Sequence, residues 1–314
     1  MTPRMRAVSQ RQFGGPEVLE VVEAERPSPG PGEVLVRVEA AAVNPADWKI
    51  RSGAITRFGE PPFTLGLDLA GVVEAVGPGV SRFTAGERVY GCALPPRGSY
   101  AEYTIAREGM LAAAPKGIDA VHAAALPVTA LTAWQALVNV ADVQPGQRVL
   151  VHAAAGGIGH LAVQIAKARG AHVVGTARED KHAFLSGLGA DELVDYTTTD
   201  FTSVLRDLDV VVDPVGEDYG PRSLDVLAPT GVLVDVRGSG PDRTAVRNKA
   251  KARGLRFEPM SFTPSSADLD RLTALVEGGG LRVEVSRVFP LERTAEAHAL
   301  GETNRTRGKL VLVP

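Results

Sequence analysis

The sequence predicts a two-domain α/β protein in which a doubly wound parallel sheet follows an antiparallel, β-rich part. Three observations carry that prediction. The chain has 314 residues, more than one ordinary domain needs. Its first third breaks into short apolar runs divided by Gly and Pro turns. Beyond about residue 143, strand-like runs alternate with helical periodicity over short connections, the pattern of parallel β–α units.

The elements follow in order. Val34, Val36 and Val38 recur at every second position with the polar neighbours Glu33, Arg37 and Glu39, and 71–76 form a short apolar run. Turn signals at 27–32, Pro61-Pro62, 77–79 and Pro95-Pro96 separate such runs. Residues 120–141 carry no charged side chain and have a membrane-spanning length. They also hold His122, Pro127, Thr129, Thr132, Gln135 and Asn139 among many alanines, which favours a buried helical stretch over a span. Residues 148–152 read as a buried strand. After a Gly-rich turn, Ile158, Leu161, Ala162, Ile165 and Ala168 repeat at helical spacing, with Gly170 as the C-terminal stop. Strand 172–176, helix 180–188, and strands 192–194, 209–213 and 231–236 continue the series. A helix over 267–276 and a strand over 310–313 close it, and 255–260 is β-like.

Composition narrows the function. A net charge of −3 with scattered Lys and Arg gives no footprint for nucleic acid. Cys92 is the only cysteine, so no intrachain disulfide forms, which suits a reducing cytoplasm. Residues 1–15 lack the apolar core of a signal peptide. The expectation is a cytoplasmic protein with no membrane and no nucleic-acid partner.

The strongest chemical signal is the turn Ala153-Ala154-Ala155-Gly156-Gly157-Ile158-Gly159 between strand and helix. A dinucleotide turn needs a tight bend, a backbone that lets the pyrophosphate approach, and close helix–strand packing. Gly156 and Gly159 fill the second and third roles, and Ala154 stands for the first glycine. Amides at the helix start then favour a phosphate. The next strand ends Gly175-Thr176-Ala177-Arg178. An NAD site places an acid there; Ala177 leaves room for a 2′-phosphate and Arg178 can grip it, so the expected cofactor is NADPH. Glu179 and Asp180 compete for the same guanidinium.

Taken in order, several segments resemble the zinc-independent quinone oxidoreductase branch of the medium-chain dehydrogenase/reductase superfamily. They are 43–49 (VNPADWK), 65–73 (LGLDLAGVV), 98–103 (GSYAEY), 126–134 (LPVTALTAW), 153–159, 213–216 (DPVG) and 308–312 (GKLVL). The resemblance implies a Rossmann-type doubly wound parallel sheet, residues 127–262, inserted into a GroES-like β-rich catalytic domain formed by 1–126 and 263–314. The active site would lie in a cleft at the end of the parallel sheet. It implies that Thr129 meets the nicotinamide carboxamide with Thr132 nearby, and that Gly156, Gly157 and Ile158 contact the pyrophosphate. Thr176, Arg178 and Tyr196, with Lys181 as an extra cation, would frame the 2′-phosphate. Val215 and Gly216 would approach the ribose and nicotinamide.

At the positions where zinc-dependent relatives carry catalytic ligands stand Asn44, Leu67 and Val128, so no metal is expected. Many relatives place a tyrosine shortly after the segment matching Arg51-Ser52-Gly53; here the slot holds Ile55. Asn44, Asp47 and Lys49 remain as catalytic candidates, the two ionisable ones with a structural ion pair or solvent exposure as alternatives. His152 and His160 read as structural. The expected reaction is hydride transfer from NADPH to a quinone or an activated C=C bond. The alternatives are an enoyl reductase acting on a thioester or biosynthetic intermediate, and a non-enzymatic NADPH-binding protein. A homodimer through the 255–260 edge is expected from the resemblance.

Overall fold

The computed structural model describes residues 3–238 and 242–314. Along the chain the strands and helices are β1 (Arg4–Gln10), β2 (Glu20–Glu25), β3 (Glu33–Val43), α1 (Pro45–Arg51), β4 (Phe63–Thr64), β5 (Asp68–Val76), β6 (Arg88–Cys92), β7 (Tyr103–Arg107) and β8 (Leu111–Ala113). Then come α2 (Ala120–Ala124), α3 (Pro127–Trp134), β9 (Arg148–Val151), α4 (Gly159–Ala168), β10 (His172–Ala177), α5 (His182–Ser186), β11 (Glu192–Asp195), α6 (Phe201–Val204), β12 (Leu208–Asp213) and α7 (Tyr219–Ser223). The series ends with β13 (Leu227–Asp235), α8 (Thr244–Arg253), β14 (Arg256–Pro259), α9 (Ser266–Glu277), β15 (Val285–Pro290), α10 (Thr294–Glu302) and β16 (Lys309–Val313).

The chain forms two compact units, one of residues 1–131, 264–279 and 283–314, the other of 132–263 and 280–282. In the first unit a seven-stranded sheet runs β15-β16-β3-β5-β6-β8, with β7 also paired to β3. Its pairs are antiparallel except β15 with β16, which the alternation signal did not foresee. A smaller sheet, β2-β1-β4, uses the chain's opening segment. The alternation in β3 puts Val34, Val36 and Val38 inside, where Val34 and Val36 pack with Leu69, Val73, Phe83, Val89 and Leu111. Each such side chain contributes about 1.5–3 kcal/mol by leaving water.

The uncharged stretch 120–141 is broken, and most of it is buried, with Asn139 exposed. The Asp119 carboxylate caps α2 by accepting from the His122 amide, Pro127 opens α3, and a wider π turn follows over Gln135–Val140. Among the described residues no helix is long and apolar enough to cross a membrane.

In the second unit six parallel strands lie in the order β11-β10-β9-β12-β13-β14. Neighbouring β9 and β12 mark the reversal of strand order, where open α/β sheets bind ligands at the carboxyl ends. Valine- and leucine-rich strands here are buried on both faces, as parallel strands must be. The β-like segment at 255–260 is β14, an edge strand paired, among the described residues, only to β13.

Candidate active site

In the second unit the turn after β9 bends at Ala153, which holds φ +46. The left-handed bend thus falls one residue before the position expected to stand for the first glycine. Gly159 confirms the packing role: a Cβ there would lie 2.3 Å from the Ala153 carbonyl oxygen and 2.7 Å from Ala154 Cα. Gly156, Gly157 and Ile158 are partly exposed. The Gly157 and Ile158 amides have no acceptor among the described residues. Open amides at the start of α4 suit a phosphate.

At the end of β10, Ala177 is buried and Arg178 exposed. Arg178 Nε donates to the Tyr196 hydroxyl at 3.2 Å, joining two residues assigned to the 2′-phosphate. Neither neighbouring acid captures the guanidinium: Asp180 pairs with Lys181 at 2.9 Å, and among the described residues Arg178 makes no ion pair. Thr176 turns inward. Its hydroxyl is buried, 3.1 Å from His152 Nδ1, and accepts from the Ala153 amide at 3.3 Å. It braces the turn from inside, and its side chain is not presented to a 2′-phosphate. His152 Nε2 lies 2.9 Å from Ser223 Oγ, and burial lowers the ring's pKa to about 3, so it stays neutral and structural. His160 Nδ1 lies 2.8 Å from the Gly156 carbonyl within the first turn of α4.

Beyond β12, Asp213 Oδ1 accepts from the Val215 and Gly216 amides, both at 2.8 Å. This fixes the turn that leaves Val215 exposed and Gly216 at φ +79. The residues of this unit fit a nicotinamide dinucleotide. The amides of Gly157 and Ile158 would hold its phosphates, and Arg178 with Tyr196 would hold the adenosine end.

In the first unit the catalytic candidates meet a buried ion pair. Lys309 and Asp68 are 3% and 0% exposed, with Nζ 3.3 Å from Asp68 Oδ2. Lys309 also donates to the Asn44 amide oxygen and, at 3.1 Å, to the Val43 carbonyl. Asn44 Nδ2 donates to Asp68 Oδ2 at 2.8 Å, and the Val128 amide donates to Asp68 Oδ1 at 2.7 Å. Asn44 is thereby locked between an ammonium and a carboxylate. Thr129 is buried, its hydroxyl bonded back to the Ala125 and Leu126 carbonyls at 3.1 and 3.2 Å.

Asp47 lies inside the cap of α1. It is fully buried at the third position of α1, where its Oδ2 accepts from the Asn44 amide at 2.8 Å and closes a capping box. Burial pushes its pKa up to about 7. A carboxyl with no exposed surface does not meet substrate directly. Lys49, two positions on, is partly exposed. Behind the helix, Arg51 Nη1 donates to His298 Nδ1 at 3.0 Å; because guanidinium only donates, the His298 proton sits on Nε2, 3.3 Å from the Tyr100 hydroxyl. Arg51 pairs outward with Glu302 at 2.5 Å.

The positions that match zinc ligands in metal-dependent relatives do not fit the ion. Leu67 is a buried aliphatic, Val128 offers only its backbone, and the Asn44 amide is engaged. Asp68 has both oxygens taken, one of them by the chain's own cation. Sequence reasoning missed the Asp68–Lys309 pair. Its signal was two lone, opposite charges inside apolar runs, at 65–73 and 308–313.

Comparison with known proteins agrees with this architecture. Residues 30–116 match the alcohol dehydrogenase GroES-like domain family, and 188–312 match a family described as zinc-binding dehydrogenase. A 2-haloacrylate reductase from Burkholderia is 37% identical over 96% of this chain and 96% of its own length. The solved quinone oxidoreductase of Coxiella burnetii is 37% identical, with a TM-score of 0.92 over 99% of this chain and 100% of that one. A solved NAD-dependent alcohol dehydrogenase is also 37% identical, with a TM-score of 0.91 over 99% and 100% of the two chains. A GroES-like first unit, a parallel dinucleotide-type second unit and relatives of this similarity over nearly full length lead to one conclusion: the chain belongs to the medium-chain dehydrogenase/reductase superfamily of oxidoreductases, among the quinone oxidoreductases and their kin.

Proposed function

We propose that this protein is an NADPH-dependent reductase that works without a metal and passes a hydride to a quinone or to the activated C=C bond of an α,β-unsaturated carbonyl compound. The observation that carries the reading is the Asp68–Lys309 ion pair, which engages the Asn44 side chain and the Val128 amide and leaves the matched ligand positions Asn44, Leu67 and Val128 without a free donor for a metal. Without a Lewis acid, simple alcohols lose the polarisation their oxidation needs. A conjugated acceptor already delocalises the charge that arrives. When bound, the nicotinamide supplies the hydride. The chain's own groups hold the phosphates at Gly157 and Ile158 and the 2′-phosphate at Arg178, and so orient the cofactor. Solvent supplies the proton that completes reduction, consistent with Asp47 being sealed in its capping box.

A second reading has its own support: the 2-haloacrylate reductase among the relatives favours an alkene conjugated to a carboxylate. We also propose a homodimer joined along the β14 edge, in the cytoplasm; light scattering on the purified protein tests the dimer. The experiment for the reaction follows NADPH and NADH absorbance against quinones, enones, 2-haloacrylates, enoyl thioesters and primary alcohols, with elemental analysis of the same sample. NADPH-driven reduction of quinones or conjugated alkenes without stoichiometric zinc is expected. Turnover of alcohols alone, or zinc required for turnover, would overturn the proposal. Activity confined to enoyl thioesters would move the assignment to that branch, and nucleotide binding without turnover to a non-enzymatic role.

A further inference from the structure

Arg237 lies just beyond β13, and its guanidinium is held on one side by Asp235. Nε donates to Asp235 Oδ1 at 3.0 Å and Nη2 to Oδ2 at 2.5 Å. Arg243 grips the same carboxylate, at 2.7 Å to Oδ2 and 3.3 Å to Oδ1. The two arginine side chains are only 13% and 11% exposed. One carboxylate thus serves two guanidinium groups. The other nearby acids are Asp213 and Glu217. Asp213 already holds the Val215 and Gly216 amides through Oδ1, and burial raises its pKa; Glu217 is exposed.

The third nitrogen, Arg237 Nη1, has no acceptor among the described residues, and the guanidinium lies against Gly216: a Cβ there would stand 1.9 Å from Nη1, 2.1 Å from Cζ and 2.3 Å from Nε. Gly216 follows β12, on the half of the sheet opposite Arg178 and Tyr196. With the adenosine end assigned to β10, the nicotinamide end belongs to β12 and β13. The open phosphate amides follow β9, two strands from β13, or roughly 10 Å at ordinary strand spacing. The cofactor's phosphates therefore have a separate seat, and the nicotinamide ribose beside Gly216 is neutral. The remaining anion at that end is one brought by the substrate.

We propose that Arg237 is a specificity-determining residue whose free Nη1 recognises the carboxylate of an anionic alkene substrate, held in aim by Asp235. The inference rests on the reductase reading and narrows its substrate class. Its test compares 2-chloroacrylate with its methyl ester at saturating NADPH, in wild type, Arg237→Gln and Arg237→Lys. Arg237→Gln is expected to lower kcat/KM for the acid roughly thirtyfold or more, mainly through KM, and to change the ester less than about threefold, a range typical of losing one charge-assisted hydrogen bond. Arg237→Lys, which keeps the charge, should recover part of the loss. NADPH affinity, read by fluorescence titration, should move less than about twofold. Equal losses on acid and ester, or NADPH affinity falling in step with activity, would overturn the proposal. If Arg237→Gln does not fold, a lysine variant indistinguishable from wild type on the acid-to-ester ratio, beside a wild type that prefers the ester, does the same. Wild-type reduction of quinones with no preference for the acid defeats this inference alone. Failure to reduce quinone, acid or ester defeats the reductase reading itself.

Discussion

Replacing Lys309 by methionine removes a buried ammonium while keeping most of its volume. At 3.3 Å from Asp68, with an effective dielectric of about 20, the lost attraction is about 5 kcal/mol. The Asn44 amide and the Val128 amide would still solvate the carboxylate, so part of the deficit is offset. Breaking a buried pair on one side typically costs about 3–5 kcal/mol, because the orphaned charge stays buried. For a domain of this size that is a fall on the order of 10 °C in thermal midpoint. Asp68→Asn in the same chain removes the orphan, and the double variant should recover most of the loss. Burial already holds the Asp68 carboxyl above its ordinary range, and losing Lys309 raises it further. Protonation relieves the orphaned charge, so the deficit of Lys309→Met should shrink as pH falls. Urea unfolding of wild type, both single variants and the double variant at two pH values gives the full cycle. A single variant within about 1 kcal/mol of wild type, or a double variant no better than Lys309→Met, would refute the assignment of a buried, charge-paired Asp68.

Arg178→Ala should weaken NADPH about ten- to a hundredfold and leave NADH nearly unchanged; isothermal titration showing equal loss of both would remove Arg178 as the phosphate reader. Gly159→Ala drives a Cβ into backbone at 2.3 Å, which no rotamer relieves, so the turn must open: NADPH affinity should fall more than about tenfold, whereas Ala153→Gly, relaxing φ +46, should change stability by no more than about 1 kcal/mol. Asp47→Asn keeps an acceptor for the capping box but removes a carboxyl whose pKa rises from 3.8 to about 7 on folding. A raised carboxyl contributes most below its unfolded value and loses that contribution as pH climbs to the folded one. Stability of Asp47→Asn relative to wild type should therefore improve between about pH 4 and 7, by at most about 1.4 kcal/mol per pH unit, and level off above; a flat difference across that range would show Asp47 charged throughout.

Much of this was readable before any coordinates, because it depends on neighbours in sequence. The alternation of β3, the helical repeat of α4 and the glycine pattern between β9 and α4 are local signals, and so is Arg178 directly after Ala177. The Arg178–Tyr196 contact spans only 18 residues across one β–α–β unit. Other features were not local. Asp68 and Lys309 are 241 residues apart, and each alone reads as one charge in an apolar run. The inward turn of Thr176 is not legible beside Arg178, because nearness in sequence says nothing of which face of β10 a side chain leaves. Asp47 is different in kind: Asn44, Pro45 and Asp47 are the residues of a capping box with proline at its first helical turn, so the structural role was legible and chemistry was preferred to it.

The order of strands also bears on how the chain is made. β16 lies between β15 and β3, inside the sheet, and Lys309 at its start reaches Asn44 and Asp68. A nascent chain leaving the ribosome has β1 to β8 ready long before β16 exists. Until then the Ala41–Val43 end of β3 lacks its partner strand, and Asp68 waits without its cation. The six strands of the second unit, by contrast, all lie within one continuous stretch and can pair as they emerge. Synthesis should thus finish the later-encoded unit first, leaving the earlier one dependent on holdase protection, and a message cut short before Lys309 should yield chains prone to aggregate along β3.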